Sequence, residues 1–147
     1  MKKDGVVLIA ERDEEHFDMM RNSLLRAGVS NQILRLADGR QTLDYLFKIS
    51  SQPASEHTSQ EYVLFMDIDL LDVGGIEVLE KIKADGQLSK IPVIVLTAMD
   101  DRHTIDKCYN LGCSTYIVKP AKNGDFAESI QNIGAFLSVV ETTSIKQ

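Results

Sequence analysis

The sequence predicts a doubly wound α/β domain, in which helices cover both faces of a five-stranded parallel sheet. Short apolar runs alternate along the chain with amphipathic stretches, and no two runs are joined by an obvious hairpin turn. The runs are almost continuously apolar, which is typical of parallel strands buried on both faces. Such strands need crossover connections, and the amphipathic stretches supply helices for right-handed crossovers.

Five successive strand and helix units account for nearly the whole chain. The predicted strands are Val6–Ala10, Ile33–Leu36, Tyr62–Met66, Ile91–Leu96 and Tyr116–Val118, and the charge of Arg35 in the second suggests an edge position. Residues 50–61 are expected to form a polar loop. Apolar residues at helical spacing follow each strand, with Gly28 and Gly112 ending the first and fourth helices. They are Phe17, Met20, Leu24 and Ala27; Leu43, Leu46 and Phe47; Val78, Leu79 and Ile82; Ile105, Cys108 and Leu111; and Phe126, Ile130, Ile133, Leu137 and Val140.

Length and composition bound the class of protein. The 147 residues, 44% hydrophobic and 26% charged, fit a single domain with its core over residues 5–140 and a loose tail at 141–147. The net charge of -6 argues against a nucleic-acid partner or an anionic membrane surface, because phosphates would be repelled. No apolar stretch approaches the roughly 18 residues of a membrane span and no signal peptide is visible, so we expect a cytoplasmic protein. Cys108 and Cys113 lack a paired CxxC motif, which favours reduced, packed thiols over a zinc site.

Three reactive side chains stand directly after apolar runs. Asp67 follows the third predicted strand, Thr97 the fourth and Lys119 the fifth. The carboxyl ends of parallel strands lie at one edge of a sheet, so a carboxylate, a hydroxyl and an ammonium are expected to converge there. The first strand ends in Glu11-Arg12-Asp13, which adds two carboxylates near the same edge.

This set of groups suits phosphoryl transfer. A carboxylate can attack a phosphoryl group and form an acyl phosphate when cations neutralise the entering charge and donors hold the equatorial oxygens. Asp67 is the candidate nucleophile, Lys119 the candidate cation and Thr97 the candidate hydroxyl donor. A hard divalent cation such as Mg2+ would normally be required as well, held by carboxylates and carbonyl oxygens.

Four separated motifs have a specific order and spacing. They are the acidic cluster Glu11-Arg12-Asp13, the segment at 66–75 that begins Met66-Asp67-Ile68-Asp69, the run Leu96-Thr97-Ala98, and Tyr116-Ile117-Val118-Lys119-Pro120. In these motifs the chain resembles the receiver domain of two-component response regulators over residues 5–140. The resemblance implies a flavodoxin-like fold with strand order 2-1-3-4-5. The long polar loop and short tail are similar to those of small single-domain regulators that accompany bacterial phytochromes.

The resemblance also implies a role for each motif. Asp67 would accept a phosphoryl group from a sensor histidine kinase or a phosphotransfer protein, and Thr97 and Lys119 would sense it. In the family the aromatic residue three positions before the lysine, here Tyr116, then turns inward and alters a surface that binds a downstream protein partner; simple strand packing explains Tyr116 equally well. Self-phosphorylation and self-dephosphorylation are the most catalysis expected. The bond from Lys119 to Pro120 would be cis.

The implied metal ligands are Glu11, Asp13, Asp67 and the backbone carbonyl of Asp69, but Arg12 departs from the family's pattern. Arg12 stands where receivers usually carry a carboxylate that binds the metal, and a guanidinium cannot ligate a cation. One hypothesis is that Arg12 pairs with Asp67 or Glu11 and weakens Mg2+ binding. The alternative is that Arg12 turns to solvent while Asp13 or Glu11 ligates the ion.

Further expectations concern the turn after Asp67, the histidines and the last helix. Leu71 and Gly74 replace the usual proline and aspartate of the turn, where the Gly74-Gly75 pair could supply positive φ. The histidines, at positions 16, 57 and 103, are expected to face solvent or to cap helices. Apolar residues at 135, 136 and 139 broaden the last helical stripe and permit a homodimer.

Three functions compete at this point. The first is a phosphorylation-controlled switch, and the second is a degenerate receiver that acts as a phosphorylation-independent interaction module because of Arg12. The third is a phosphatase of the haloacid-dehalogenase type, whose signature also begins with Asp-x-Asp, matched by Asp67 and Asp69. No Gly-Thr follows Asp69 and the chain lacks the length for a cap domain, which argues against the third.

Overall fold

One parallel sheet with strand order β2-β1-β3-β4-β5 organises the computed structural model, which describes residues 1, 4–52, 60–119, 128 and 130–134. Its strands are β1 (Val6–Ala10), β2 (Gln32–Leu36), β3 (Tyr62–Met66), β4 (Val93–Thr97) and β5 (Thr115–Val118). The helices are α1 (Glu14–Arg26), α2 (Gly39–Ser50), α3 (Gly75–Ala84) and α4 (Arg102–Leu111); Leu88–Lys90 form a 3₁₀ turn, and residues 130–134 are helical. This order confirms the predicted flavodoxin-like fold class.

Alternate residues of the central strands point into two separate apolar layers. In β1, Leu8 lies in the layer formed with α2, α3 and α4, whereas Val7 and Ile9 lie in the layer formed with α1 and Ile130. Every residue of β1, β3 and β4 is buried. Because helices cover both faces, no position in these strands has to be polar, which explains the continuous apolar runs.

The fourth strand begins at Val93, two residues later than predicted. The 3₁₀ turn before it is not among the predicted elements, and the Ile91 N–H closes that turn by donating to Leu88 O at 3.0 Å. Lys83 Nζ donates to the carbonyls of Ser89 and Ile91 at 3.2 and 3.3 Å. Backbone groups used in this way do not contribute to the strand ladder, so the strand starts after them.

Positive φ in the turn after β3 occurs at Asp72 rather than at the glycine pair. Asp72 has a φ of 69°, whereas Gly74 has a φ of -68° and is the N-cap of α3. Aspartate tolerates the left-handed region because its short side chain can bond locally. Gly75 is needed for a different reason, since a Cβ there would lie 2.6 Å from Ile68 Cα and 2.7 Å from Asp67 O. The expectation that the glycine pair supplies positive φ is therefore wrong.

Helix ends and cysteines agree with the prediction. Gly28 and Gly112 follow α1 and α4 with φ values of 96° and 105°, which favour glycine. Cys108 and Cys113 are free and buried, and burial raises the pKa of Cys108 to about 11 and also raises that of Cys113. Both thiols are therefore protonated and unreactive at neutral pH.

Several predictions concern residues outside the described part of the chain. They involve the loop at 53–59 with His57, the bond to Pro120, the last helical stripe at Phe126, Leu137 and Val140, the residues invoked for a homodimer, and the tail at 141–147. These stay predictions. None of the helices in the described residues has the length and apolar character that crossing a bilayer requires.

Candidate functional site

Backbone hydrogen bonds of the sheet bring the strand ends to one edge. The Asp67 N–H donates to Ala10 O at 3.0 Å, so the residue after β3 lies beside the end of β1. The Lys119 N–H donates to Thr97 O at 2.8 Å, which aligns the end of β5 with the last residue of β4. The Glu11 N–H donates to the last residue of β2 at 3.1 Å. The predicted convergence of these side chains is therefore present.

The Lys119 ammonium lies between two buried carboxylates. Its Nζ is 2.6 Å from Asp67 Oδ2 and 2.6 Å from Glu11 Oε1. The side chains of Lys119, Asp67 and Glu11 are 8%, 9% and 3% exposed. Burial by itself lowers the pKa of Lys119, but the hydrogen bonds and charges of the two carboxylates outweigh burial and raise the pKa overall. The ammonium is therefore charged at neutral pH and partly neutralises both carboxylates.

The other oxygen of Asp67 is held by the main chain. Asp67 Oδ1 accepts the N–H of Asp69 at 2.9 Å. The loop that carries these residues is packed against the start of α3, where the Gly75 N–H donates to Ile68 O at 2.9 Å. The Asp67 carboxylate thus has a cation on one oxygen and a backbone donor on the other, which fixes its orientation.

Thr97 and Tyr116 are connected through Met99. Thr97 Oγ1 accepts the Met99 N–H at 3.4 Å, and the Tyr116 hydroxyl donates to Met99 O at 2.6 Å. Desolvation by burial raises the pKa of Tyr116 to about 12, so the hydroxyl keeps its proton and remains a donor at neutral pH. The Tyr116 N–H donates to the Tyr109 hydroxyl at 3.1 Å, which ties β5 to α4.

The converging residues line an open cleft of about 440 Å³. Its lining consists of Glu11, Arg12, Asp13, His16, Asp67, Ile68, Asp69, Thr97, Ala98, Met99 and Lys119. Every residue predicted for the site, apart from Tyr116, lies on this surface. A cavity of about 480 Å³ between α2 and α3 is lined by Leu43, Phe47 and charged residues, and contains no member of this set.

Arg12 pairs with Asp69 rather than with Asp67 or Glu11. Its Nη2 lies 3.1 Å from Asp69 Oδ2, and the two side chains are 44% and 62% exposed. The hypothesis that Arg12 pairs with Asp67 or Glu11 is therefore wrong, because Lys119 already lies between those two carboxylates. The alternative, in which Arg12 turns towards solvent, is closer to the observed arrangement.

The carboxylate of Asp13 is the N-cap of α1. Its Oδ1 accepts two N–H groups of the first helical turn, at 2.9 and 3.2 Å, and the hydrogen bond from His16 is the main cause that lowers the pKa of Asp13. Among the described residues, no group of three or more His, Cys, Asp or Glu side chains has the geometry of a metal site. The donor chemistry nevertheless fits a hard cation, because four carboxylate residues, Glu11, Asp13, Asp67 and Asp69, line the cleft.

Two titratable side chains beside the cleft, those of His16 and Arg35, are absent from the predicted site. His16 Nδ1 lies 3.2 Å from Lys119 Nζ, whereas the sequence favoured a solvent-facing or capping role. Arg35 donates through Nε to Glu11 O at 3.1 Å and through Nη2 to Arg12 O at 2.9 Å. The sequence offered two signals for these residues. His16 closely follows the acidic cluster, and Arg35 is a charge inside the second strand, which suggested only an edge position.

The chain is similar to proteins of one family. The model of the response regulator receiver domain matches residues 7–131. The polar-differentiation response regulator DivK of Brucella anthropi is 31% identical over 126 residues, which cover 86% of this chain and 93% of DivK.

Solved structures give the same relation. A response regulator receiver domain from Rhodospirillum rubrum is 34% identical, with a TM-score of 0.86 over 97% of this chain and 99% of that chain. The bacteriophytochrome response regulator RtBRR is 29% identical, with a TM-score of 0.69 over 95% of this chain and 84% of that chain. The family match spans most of the chain and the similarity extends over the whole sheet, so this chain belongs to the response regulator receiver domain family of two-component signalling.

Proposed function

We propose that Asp67 accepts a phosphoryl group from a sensor histidine kinase or a phosphotransfer protein, and that phosphorylation changes how the chain binds a downstream protein partner. The observation that carries this proposal is the Lys119 ammonium, 2.6 Å from the carboxylates of both Asp67 and Glu11 in a largely buried site. A carboxylate held beside an open cleft by a buried cation has the properties of a phosphoryl acceptor.

The transfer exchanges one phosphorus bond for another. An oxygen of Asp67 forms a bond to phosphorus while the bond from phosphorus to the donor's imidazole nitrogen breaks, and the released imidazole takes up a proton. Lys119 supplies positive charge next to the new acyl phosphate. Thr97, which lines the same cleft, supplies a hydroxyl donor to a phosphoryl oxygen after rotation of its side chain.

We also propose that Mg2+ assists, with Glu11, Asp67 and the backbone carbonyl of Asp69 as ligands and Asp13 as a further candidate. A bound Mg2+ supplies positive charge to the phosphoryl oxygens. Arg12 lines the same cleft, carries a positive charge and cannot ligate, so it weakens the affinity of the site for the ion.

Thr97 and Tyr116 are the proposed switch. Rotation of the Thr97 hydroxyl towards a phosphoryl group removes its hydrogen bond to the Met99 N–H, and the Met99 carbonyl is the acceptor of the Tyr116 hydroxyl. Any displacement of Met99 therefore changes the packing of Tyr116, a residue of β5, against α4. A phosphoryl group that contacts the two arrangements unequally shifts the population between them.

The proposal treats residues 1–147 as one receiver domain that acts in the cytoplasm, with self-phosphorylation and self-dephosphorylation as its only catalysis. The proposal includes no binding to nucleic acid or to a membrane. A homodimer through the last helix is a separate proposal, and a measurement of mass in solution tests it. Family membership does not favour the haloacid-dehalogenase alternative. Arg12 is the observation that favours the degenerate receiver, so the test has to separate that function from the proposed one.

Exposure to acetyl phosphate, followed by intact mass spectrometry, makes that separation. We expect the wild type to gain the mass of one phosphoryl group, faster with Mg2+ than without, and Asp67→Asn to gain none. Asp72→Asn is the matched control, because it makes the same chemical change in the same loop at a position with φ 69° that asparagine tolerates. A wild type that gains no mass under any of these conditions is a degenerate receiver, and steady turnover of a generic phosphomonoester would instead restore the phosphatase.

A further inference from the structure

The ion pair of Arg12 and Asp69 joins two loops across the cleft. Arg12 follows β1 and Asp69 follows β3, and both side chains line the cleft while remaining substantially exposed. The Asp69 N–H donates to Asp67 Oδ1 at 2.9 Å, whereas Lys119 holds Oδ2. The Arg12 guanidinium therefore lies near the proposed acceptor, Asp67. Its partner, Asp69, is the residue whose N–H binds Asp67 Oδ1.

The backbone of Arg12 is fixed although its side chain is exposed. Arg35 binds the carbonyls of Glu11 and Arg12, and its guanidinium lies 5.9 Å from the centre of the Phe17 ring. These contacts hold the loop after β1 against β2 and α1. A change of partner by Arg12 thus requires rotation of its side chain and no movement of the loop.

Lys119 alone does not balance the negative charge that a phosphoryl group would bring to the cleft. Lys119 is shared between Glu11 and Asp67, and phosphorylation of Asp67 adds roughly one further negative charge. The Arg12 guanidinium is a planar fork of donors that suits phosphoryl oxygens, and exposed ion pairs such as its pair with Asp69 are weak. A phosphoryl group offers Arg12 more charge and more acceptor oxygens than the Asp69 carboxylate does.

We propose that Arg12 exchanges Asp69 for the phosphoryl group when Asp67 is phosphorylated, so that Arg12 is a phosphoryl-binding residue and Asp69 competes for it. This inference rests on the proposed function of Asp67. Arg12 moves from a carboxylate to the phosphoryl oxygens as an ion-pairing donor, and no covalent bond to Arg12 forms or breaks. In the unphosphorylated state Asp69 holds the guanidinium away from Asp67.

The proposal predicts opposite effects from the two sides of one ion pair. These rates are compared without Mg2+, because Arg12 also weakens binding of the ion. Under that condition Arg12→Gln removes the phosphoryl-binding group and should slow acetyl phosphate transfer to Asp67 about tenfold, whereas Asp69→Asn frees Arg12 and should accelerate it severalfold. Arg12→Lys keeps a charge without the fork and should give an intermediate rate. An ion pair that only stabilises the loops would make both single changes act in the same direction.

A double variant removes the remaining ambiguity. Asp69→Asn also deletes a negative charge near the phosphoryl group, so its gain has to be measured again in the Arg12→Gln background. In the Arg12→Gln background, we expect Asp69→Asn to give less than half of the rate increase that it gives in the wild type. Arg102→Gln and Asp106→Asn are the matched controls, because this exposed pair, 3.3 Å apart on α4, does not line the cleft. Both controls should transfer at the wild-type rate.

Two outcomes overturn the inference and are distinguishable. If the wild type and Arg12→Gln form the acyl phosphate at equal rates, or Asp69→Asn gains as much without Arg12 as with it, the role of Arg12 is refuted while that of Asp67 stands. If no variant gains mass at Asp67, the proposed function fails and the inference fails with it. Equal urea midpoints for wild type and Arg12→Gln would exclude loss of folding as the cause of a slower rate.

Discussion

Replacement of Lys119 by methionine should destabilise the fold by about 3 kcal/mol. The change keeps the length of the side chain but removes the ammonium that lies 2.6 Å from both Asp67 and Glu11. The two carboxylates are then left largely buried without their cation. Removal of one partner from a buried ion pair typically costs about 3–5 kcal/mol, because the remaining charge is neither solvated nor paired.

The distances of the site give a magnitude of the same size. Both carboxylate oxygens lie 2.6 Å from one nitrogen, so they are at most about 5 Å apart. Two unit negative charges at that separation repel by about 3 kcal/mol at an effective dielectric constant of about 20. Neutralising one carboxylate should therefore restore stability, and we expect Lys119→Met with Asp67→Asn to recover about 2 kcal/mol relative to Lys119→Met alone.

Urea denaturation at neutral pH measures these free energies of unfolding. Lys81→Met is the matched control, since Lys81 is exposed and lies 4.0 Å from Glu77 on α3; its loss should stay below about 1 kcal/mol. A loss below about 1 kcal/mol for Lys119→Met, or no recovery in the double variant, would refute the view that Lys119 is the cation on which both carboxylates depend.

Three further predictions concern the supports of the site. Gly75→Ala should destabilise by about 2 kcal/mol, because its Cβ would lie 2.6 Å from Ile68 Cα, whereas Gly74→Ala has open space and should cost less than about 1 kcal/mol; urea denaturation of both compares them. Arg35→Met should cost about 1–3 kcal/mol and slow phosphorylation by acetyl phosphate, and an unchanged rate would contradict the role of Arg35 in holding the loop after β1. The fold raises the pKa of Tyr116 from 10.0 to about 12, so its contribution to stability is complete below pH 10.0 and is lost as pH rises towards about 12. The free energy of unfolding of Tyr116→Phe should therefore fall less over that range than that of the wild type.

Prediction of the fold succeeded where the signal was local. The β1 and β3 boundaries agree with the prediction because both strands are buried on both faces and are therefore uniformly apolar. The start of β4 differs because it depends on Lys83, which reaches the carbonyls of Ser89 and Ile91 from α3. The strand order came from the resemblance to a family, since apolar periodicity does not distinguish the possible orders of a parallel sheet.

The sequence predicted which side chains converge at the sheet edge, but it did not predict all of their pairings. A parallel sheet places strand ends at one edge, so the convergence of Asp67, Thr97 and Lys119 could be predicted from the sequence alone. The partner of Arg12 could not be predicted from the sequence, because the carboxylates of Asp67, Glu11 and Asp69 can all pair with a guanidinium. Only the position of Lys119 between two of these carboxylates left Asp69 to Arg12.

The amino-acid sequence by itself determined the alternation of strands and helices, the family resemblance and the set of reactive groups, because each is written in the order and spacing of residues. The tertiary structure decided which charges meet. Lys119 and Glu11 are 108 positions apart, yet their side-chain atoms lie 2.6 Å apart. Ion pairing depends on distances of a few ångströms and on burial, and both are properties of the packed sheet and loops rather than of neighbouring residues.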